Sequence, residues 1–283
     1  MHFIAFLTDW GMTSYYVGIA KSVMKQINPG VEIIDITHDI QPFNIREAMY
    51  ILQRTFPDFP PGTIFCSVVD YGVGTERFPV AVELTNGSFL VGPDNGTFTL
   101  LIEQYPMKKA VILQNPSSFF RLNPSSTFHG RDIFAPVSAR LSMGVPLEHF
   151  GPSVDSLRTL SVNRPKLHSH SITGEVAFCD RFGNMETNIP GQLLNNFELQ
   201  PGDPLEIMIN ECSFSAVFFE AYGLSKKGQI LVHTDSSGFV EIAVNQGNAK
   251  EVLLGNEVID INQISITNKK KIKITKSLYK NLT

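Results

Sequence analysis

The chain has 283 residues, 43% of them hydrophobic and 18% charged, enough apolar content to bury a core in one large domain or two ordinary ones. A formal net charge of −4 argues against a general nucleic-acid binder, and no apolar run reaches the roughly 18 residues that a membrane span needs. Cys66, Cys179 and Cys212 are an odd number at wide spacing, neither a disulfide framework nor a zinc pattern, and suit buried thiols in a reducing compartment.

Met1 to Leu7 carries no basic region and is too short for a signal core, so a cytoplasmic protein is expected. Phe3 to Leu7 reads as a first strand that delivers Thr8-Asp9-Trp10-Gly11 at its carboxyl end. Val17, Ala20, Met24 and Ile27 recur at helical spacing, which predicts a helix over 14–27, stopped by Asn28-Pro29-Gly30. Val31 to Ile36 is a second strand. Ile45, Ala48, Met49, Leu52 and Phe56 make a second helical stripe, broken by Pro57, Pro60, Pro61 and Gly62. Thr63 to Val69 follows as a buried, β-branched strand. Strand, helix, strand, helix, strand is the pattern of right-handed crossovers, so an α/β domain with a mainly parallel central sheet is expected over 1–150.

The third strand ends in Ser67-Val68-Val69-Asp70-Tyr71-Gly72-Val73-Gly74, with Arg77 seven residues beyond the carboxylate. A carboxylate at the carboxyl end of a central strand beside a glycine turn is where open α/β sheets place their chemistry. An arginine within reach would orient that carboxylate; taken alone, the pair also reads as a structural Asp–Arg turn. Val80 to Leu84, Asn86-Gly87 and Phe89 to Val91 predict a hairpin, and Ala110 to Leu113 a further strand. A loop rich in Asn, Pro and Ser (114–126) leads to Phe128-His129-Gly130-Arg131-Asp132, with a helix stripe directly after it. His129 thus stands just before a helix N-terminus.

Residues 151–170 lose periodicity and read as a linker. From Ile172 the pattern changes to short β runs at 172–179, 205–209, 214–219, 229–233 and 239–244, with one short helix near 249–254. That predicts a smaller all-β domain over 171–262, sandwich or barrel, with the barrel-like form taken as the expectation. Lys269, Lys270, Lys271, Lys273, Lys276 and Lys280 then make 263–283 a lysine-rich tail, expected to be a solvated end rather than a surface for RNA or lipid.

Asp9, Asp35, Asp70 and Asp94 end strands or open turns, and His38 and His129 lie in the same segments. A two-metal hydrolase would need clustered ligands such as Asp-x-His; the chain has none, and no metal site is expected. His38 reads as a core histidine. Asp180-Arg181-Phe182-Gly183-Asn184 reads either as a hairpin turn bonding its own backbone or as a small-molecule grip. No Walker loop, dinucleotide fingerprint or nucleophile elbow occurs, which removes P-loop kinases, Rossmann dehydrogenases and the usual serine esterases.

Seven motifs occur in one order: Thr8-Asp9-x-Gly11; Tyr16-Val17-Gly18; His38-x-Ile40-x-Pro42; Val69-Asp70-x-Gly72-Val73-Gly74 with Arg77; Gly92-Pro93-Asp94-Asn95-Gly96; Phe128-His129-Gly130-Arg131-Asp132; and Asp180-Arg181-Phe182-Gly183-Asn184 with Thr187-Asn188-Ile189. Jointly they resemble the S-adenosyl-L-methionine hydroxide adenosyltransferases, relatives of fluorinase and chlorinase, from residue 3 to about 260. The resemblance implies attack of water on C5′ of S-adenosylmethionine, giving adenosine and L-methionine with no cofactor. It carries the set that orients and polarises the water onto Asp70, Arg77 and His129. Within that set we take Asp70 as proton acceptor, Arg77 as fixing that carboxylate and stabilising developing hydroxide, and His129 as bonding the water. It also carries Asp9 onto the ribose hydroxyls, Phe43 and Phe128 onto pocket walls, and Asp180 onto the methionine amine. Phe182 falls beside adenine, Asn184 at a polar ligand edge and Ser236 near the methionine carboxylate. The family forms homotrimers with the ligand between subunits, and neither nucleic acid nor membrane is an expected partner. Departures are Trp10 for a smaller side chain, Tyr71 for proline, and Ser237 where halogenases carry arginine. A halogenase of the same fold and a non-catalytic S-adenosylmethionine or adenosine binder are the alternatives.

Overall fold

The structure, a computed structural model, describes residues 3–255 and 263–268. The chain divides into two compact units, Met1–Ser161 and Val162–Thr283.

The first unit is built on a six-stranded sheet. Its strands are β1 (Phe3–Thr8), β2 (Glu32–Thr37), β3 (Ile64–Val68), β4 (Pro79–Leu84), β5 (Phe89–Pro93) and β6 (Met107–Ile112), in the spatial order β2-β1-β3-β5-β4-β6. Pairings β2–β1, β1–β3 and β3–β5 are parallel. Those of β4 with β5 and with β6 are antiparallel, so the sheet is mixed where the sequence suggested a mainly parallel one. The cause is local. The Asn86-Gly87 turn is too short for a crossover and can only return the chain antiparallel.

Helices α1 (Tyr15–Ile27), α2 (Ile45–Thr55), α3 (Thr99–Gln104) and α4 (Ala135–Ser142) cover the sheet. The Ser14 hydroxyl accepts from Tyr16 N to start α1, and the Asn44 amide oxygen accepts from Glu47 N to start α2. Alternate residues of β1 serve opposite faces: Ile4 and Phe6 join one core with α1 and α4, while Ala5 and Leu7 join the other with α2 and α3. Helix α3 is only six residues long, too short to show a period in the sequence. Residues 151–161, expected as linker, run along β6: Ile112 N donates to Pro152 O at 2.9 Å and Val154 N to Ala110 O at 3.0 Å.

The second unit contains β7 (Lys166–Leu167), β8 (Ser171–Cys179), β9 (Met185–Pro190), β10 (Pro204–Ile209), β11 (Cys212–Phe218), β12 (Ile230–Thr234), β13 (Phe239–Val244), α5 (Ala249–Leu254) and β14 (Gln263–Asn268). The order is β14-β10-β11-β12-β13-β9-β8-β7, and β14 also pairs with β8. The sheet therefore closes on itself, with β7 outside the ring, and closure removes the exposed edges. Ile172, Leu205, Ile207, Val232, Ile242 and Ile266 fill its core. Three strands escape the sequence reading: β7 lies in the stretch read as linker, β9 is polar and is not among the predicted β runs, and β14 opens the stretch assigned to the tail. The alternation Ile264, Ile266 explains it, both side chains being buried. The remaining tail lysines lie outside the described residues. No helix among the described residues is long and apolar enough to cross a membrane.

Candidate functional site

β3 ends at Val68, and the chain turns so that Asp70 Oδ1 accepts from Gly72 N at 3.0 Å, an Asx-type turn. Arg77 returns to the same carboxylate. Its Nε donates to Oδ1 at 3.0 Å and its Nη2 to Oδ2, a side-on fork that fixes both groups. Gly74 sits at φ +75 where a Cβ would overlap the Ser126 carbonyl, so the turn and the 120–129 loop press together. Arg77 also lies over the Phe134 ring, 5.4 Å from its centroid.

Arg77 Nη2 reaches His129 Nδ1 at 3.0 Å as well. A guanidinium only donates, so Nδ1 must be the acceptor and the neutral ring carries its proton on Nε2. Burial, followed by the Arg77 charge, pushes the His129 pKa below the ordinary histidine value, against opposing pulls from Asp70 and Asp132. His129 is thereby a neutral donor. A ring whose Nδ1 is already occupied as an acceptor and whose Nε2 holds the proton has no site left to act as base.

Asp70 and His129 line a cavity of about 330 Å³, together with Asp9, Trp10, Phe43 and Phe128. Arg77 is buried behind them and does not line it. Asp9 follows β1 and its Oδ2 accepts from Phe43 N at 2.8 Å. That bond holds Phe43 at φ +65, a conformation that a bulky residue adopts only under constraint. Burial raises the Asp9 pKa, with the Phe43 N–H opposing. His38 is buried beneath this loop: its Nδ1 meets Thr8 Oγ1 at 2.9 Å, and Trp10 N donates to the same hydroxyl at 3.3 Å. It supports the loop as a core histidine.

Trp10 makes edge-on contacts with Phe6, Tyr16 and Phe128, at centroid distances of 5.8, 6.2 and 5.4 Å. A Cβ on Gly130 would overlap the Trp10 ring, so the large indole and the missing side chain are matched. Trp10 and Tyr16 are walls that the residue-by-residue sequence assignment left out.

In the second unit, Asp180 Oδ1 accepts from Phe182 N and Asn184 N, both at 2.8 Å, and Oδ2 accepts from Asn184 Nδ2 at 3.0 Å. The turn-forming role is thus real, and Asp180, Phe182 and Asn184 also line a concavity of about 610 Å³ with Tyr222 and Gln246. Phe182 is 77% exposed, a ring presented for stacking. Tyr222 Oη donates to Glu241 Oε1 at 2.6 Å, and His233 Nε2 lies 2.9 Å from the same oxygen. Burial alone would raise the Glu241 pKa, but those donors outweigh it and hold the carboxyl below its usual range. No sequence signal marked Tyr222 or Glu241, which the β12–β13 hairpin and the turn before it bring together. Among the described residues, Asp180, Glu186 and Glu241 form the one carboxylate group whose oxygens all lie within 4.8 Å of one another. Ser236 is exposed at the tip of the turn that Asp235 closes, and does not line this concavity.

The sequence profile of the SAM hydroxide adenosyltransferase N-terminal domain matches residues 4–151, and that of the C-terminal domain matches 174–260. The chain is 35% identical to an (R)-S-adenosyl-L-methionine hydrolase from Salinispora tropica over 252 residues, covering 88% of this chain and 93% of that protein. A fluorinase from Nocardia brasiliensis matches at 29% identity, over 86% of this chain and 90% of the fluorinase. The crystal structure of an uncharacterized conserved protein from Thermotoga maritima superposes with a TM-score of 0.88 at 46% identity, covering 93% of this chain and 99% of that one.

Proposed function

The chain belongs to the SAM hydroxide adenosyltransferase family, and on that premise we propose that it hydrolyses S-adenosyl-L-methionine to adenosine and L-methionine. The observation that carries this reading is the hydrogen-bonded set Asp70–Arg77–His129, with Asp70 and His129 facing one cavity. Water oxygen attacks C5′ as the C5′–S bond breaks. The bonding pair leaves on sulfur, so the cationic sulfonium becomes the neutral thioether of methionine without an acid. The attacking water turns acidic only as its bond to carbon forms. A carboxylate is then base enough, although free water has a pKa of about 15.7. Asp70 takes that proton, and it passes to solvent.

The hydrogen bonds support this division of labour: His129 Nε2–H fixes the water oxygen and Asp70, on the same cavity, takes the proton. Arg77 donates through Nε and Nη2 to those two side chains and acts through them. Holding the water in line, with little freedom and few competing waters, is the main contribution. Asp9 takes a ribose hydroxyl, and Phe43 and Phe128 wall the sugar and sulfur. The second unit's concavity suits adenine and the amino-acid end, with Phe182 stacking, Asn184 at a polar edge and Asp180 on the ammonium; Ser236, on the turn outside that concavity, is assigned to the carboxylate. The substrate epimer is the (R)-sulfonium, as the names of the hydrolase relatives suggest.

Purified protein supplied with each sulfonium epimer, in EDTA and with or without chloride, is expected to release equal adenosine and methionine from the (R) form under every condition. Chlorinated nucleoside would establish the halogenase alternative. Tight binding without turnover would establish a sensor, and loss of activity in EDTA would overturn metal-free chemistry.

The same reading includes a homotrimer in the cytoplasm. Tyr15, Tyr16, Phe43 and Tyr71 are exposed at or beside the first unit's cavity, an apolar rim larger than scattered surface residues. A second copy that buries this rim would complete the site. Light scattering is expected to give three times the chain mass; a stable monomer with full activity would remove the trimer from the reading. None of Cys66, Cys179 and Cys212 forms a disulfide, as suits a reducing compartment, although only Cys66 is buried, Cys179 being partly exposed and Cys212 exposed, where all three were expected inside.

A further inference from the structure

Asp132 is completely buried, yet it touches neither the cavity nor the proposed substrate. An isolated buried carboxylate is costly, so its partners are informative. Arg131, its chain neighbour, grips it side-on, with Nε 2.7 Å from Oδ1 and Nη2 2.8 Å from Oδ2. Ser125 N donates to Oδ2 at 2.8 Å, and Arg121 Nε stands 3.9 Å from Oδ1. Burial opposes ionisation, but Arg131 and the Ser125 N–H outweigh it and hold the carboxyl below its ordinary range.

The backbone of the same residue closes the loop that the carboxylate pins. Phe120 N donates to Asp132 O at 2.9 Å, and Asp132 N donates to Phe128 O at 3.1 Å. The loop from 120 to 132 is therefore tied to one residue near its start, middle and end. Its outer side meets the catalytic turn, where the Ser126 carbonyl packs on Gly74 between Asp70 and Arg77. Its inner side carries Phe128 and His129. The guanidinium that pairs with Asp132 also lies over the Phe128 ring, 5.1 Å from the centroid. Asp132 itself sits in a π-helical turn, Gly130–Phe134, in which Ala135 N donates to Gly130 O before α4 begins. Such turns carry one extra residue and are concentrated at functional sites.

We propose that Asp132 is a positioning residue, whose carboxylate clamps the 120–132 loop against the Asp70–Arg77 turn and so fixes the Phe128 wall and the His129 donor. The proposal deepens the hydrolase reading and rests on it for its kinetic consequence. Without the clamp the loop keeps its sequence and its side chains. What it loses is the register that puts His129 Nδ1 on Arg77, and a misplacement near 1 Å costs about 10²-fold in rate.

The test uses the full chain with Asp132→Asn, which keeps an acceptor for Ser125 N but loses the charged fork to Arg131. At a temperature well below melting, kcat is expected to fall about 10²-fold, far more than KM rises. The second readout is the ¹⁵N spectrum of His129, assigned by comparison with His129→Gln. Wild type should show the Nε2–H tautomer, and Asp132→Asn a mixture of tautomers. A lower melting temperature with unchanged kcat and an unchanged His129 spectrum would mean that Asp132 only stabilises the fold, overturning the proposal. If Asp132→Asn fails to fold, Arg131→Lys decides. It keeps the charge and loses the side-on fork, so the same two changes are expected in weaker form, and wild-type values of both would overturn it. Should the wild type show no hydrolysis, the hydrolase reading fails by itself, and the tautomer comparison still decides the positioning role.

Discussion

Asp70→Asn is expected to lower kcat for S-adenosylmethionine hydrolysis by about 10³-fold, within the range for loss of a positioned proton acceptor. The substitution removes more than a base. The amide oxygen can replace one carboxylate oxygen, accepting from Gly72 N and Arg77 Nε. The amide nitrogen must then face Arg77 Nη2, donor against donor, and that same Nη2 is the group bonded to His129. Losing the acceptor therefore also releases the donor. His129→Ala should cost about 10²-fold alone, as expected for one lost donor at a reacting oxygen. The double variant should be little slower than Asp70→Asn, because groups that act as one unit are not additive. Steady-state kinetics on the four proteins, with adenosine binding measured alongside, decides this. Fully multiplicative losses would mean that the two residues act independently and that the Arg77 link is structural only.

Much of that site was legible in the sequence, for a physical reason. Asp70 and Arg77 are seven residues apart across a glycine turn, so their pairing is a local event that the sequence pattern can carry. Asp9 and His129 follow clear strand and loop-to-helix signals and fall where those elements end. Trp10 and Tyr16 are different. The place of Trp10 depends on Gly130 leaving space more than a hundred residues away, and that of Tyr16 on packing against Trp10 and Phe128; no pattern within either segment records the match. Tyr222, His233 and Glu241 converge through the register of β12 on β13, which sets His233 opposite Glu241 and which no residue pattern in the segment records. The same distinction runs through the fold. Long periodic helices and apolar strands were readable, whereas α3 is only six residues long and polar β9 and β14 take their form from pairing with β13 and β10. Asp132 was visible as part of a motif, but burial and the three loop contacts that give it meaning were not.

The protonation state of His129 yields the second large effect. His129→Gln places an amide N–H close to where Nε2–H stood, whereas His129→Asn ends about one bond short. Gln is expected to retain activity within about tenfold of wild type and Asn to fall about 10²-fold, the cost of losing one aimed donor. A general-base histidine would give the opposite lesson, since neither amide can accept a proton and both should be equally poor. The pH profile supplies an independent limb. The folded pKa lies below the ordinary value of about 6.5, so the neutral, active ring dominates at neutral pH and is lost only as pH falls through that lowered value. Wild-type kcat/KM should therefore stay level from neutrality to below pH 6.5 and then decline, and in His129→Gln the part of that decline due to the imidazole should disappear. Stability follows the same sign. In this acid window the unfolded chain binds the His129 proton before the folded chain does, so lowering the pH weakens folding, and the Gln variant should lose less stability there. An unaltered acid limb in an active Gln variant would assign the titration to another group, with Asp9, whose pKa is raised by burial, the first to examine.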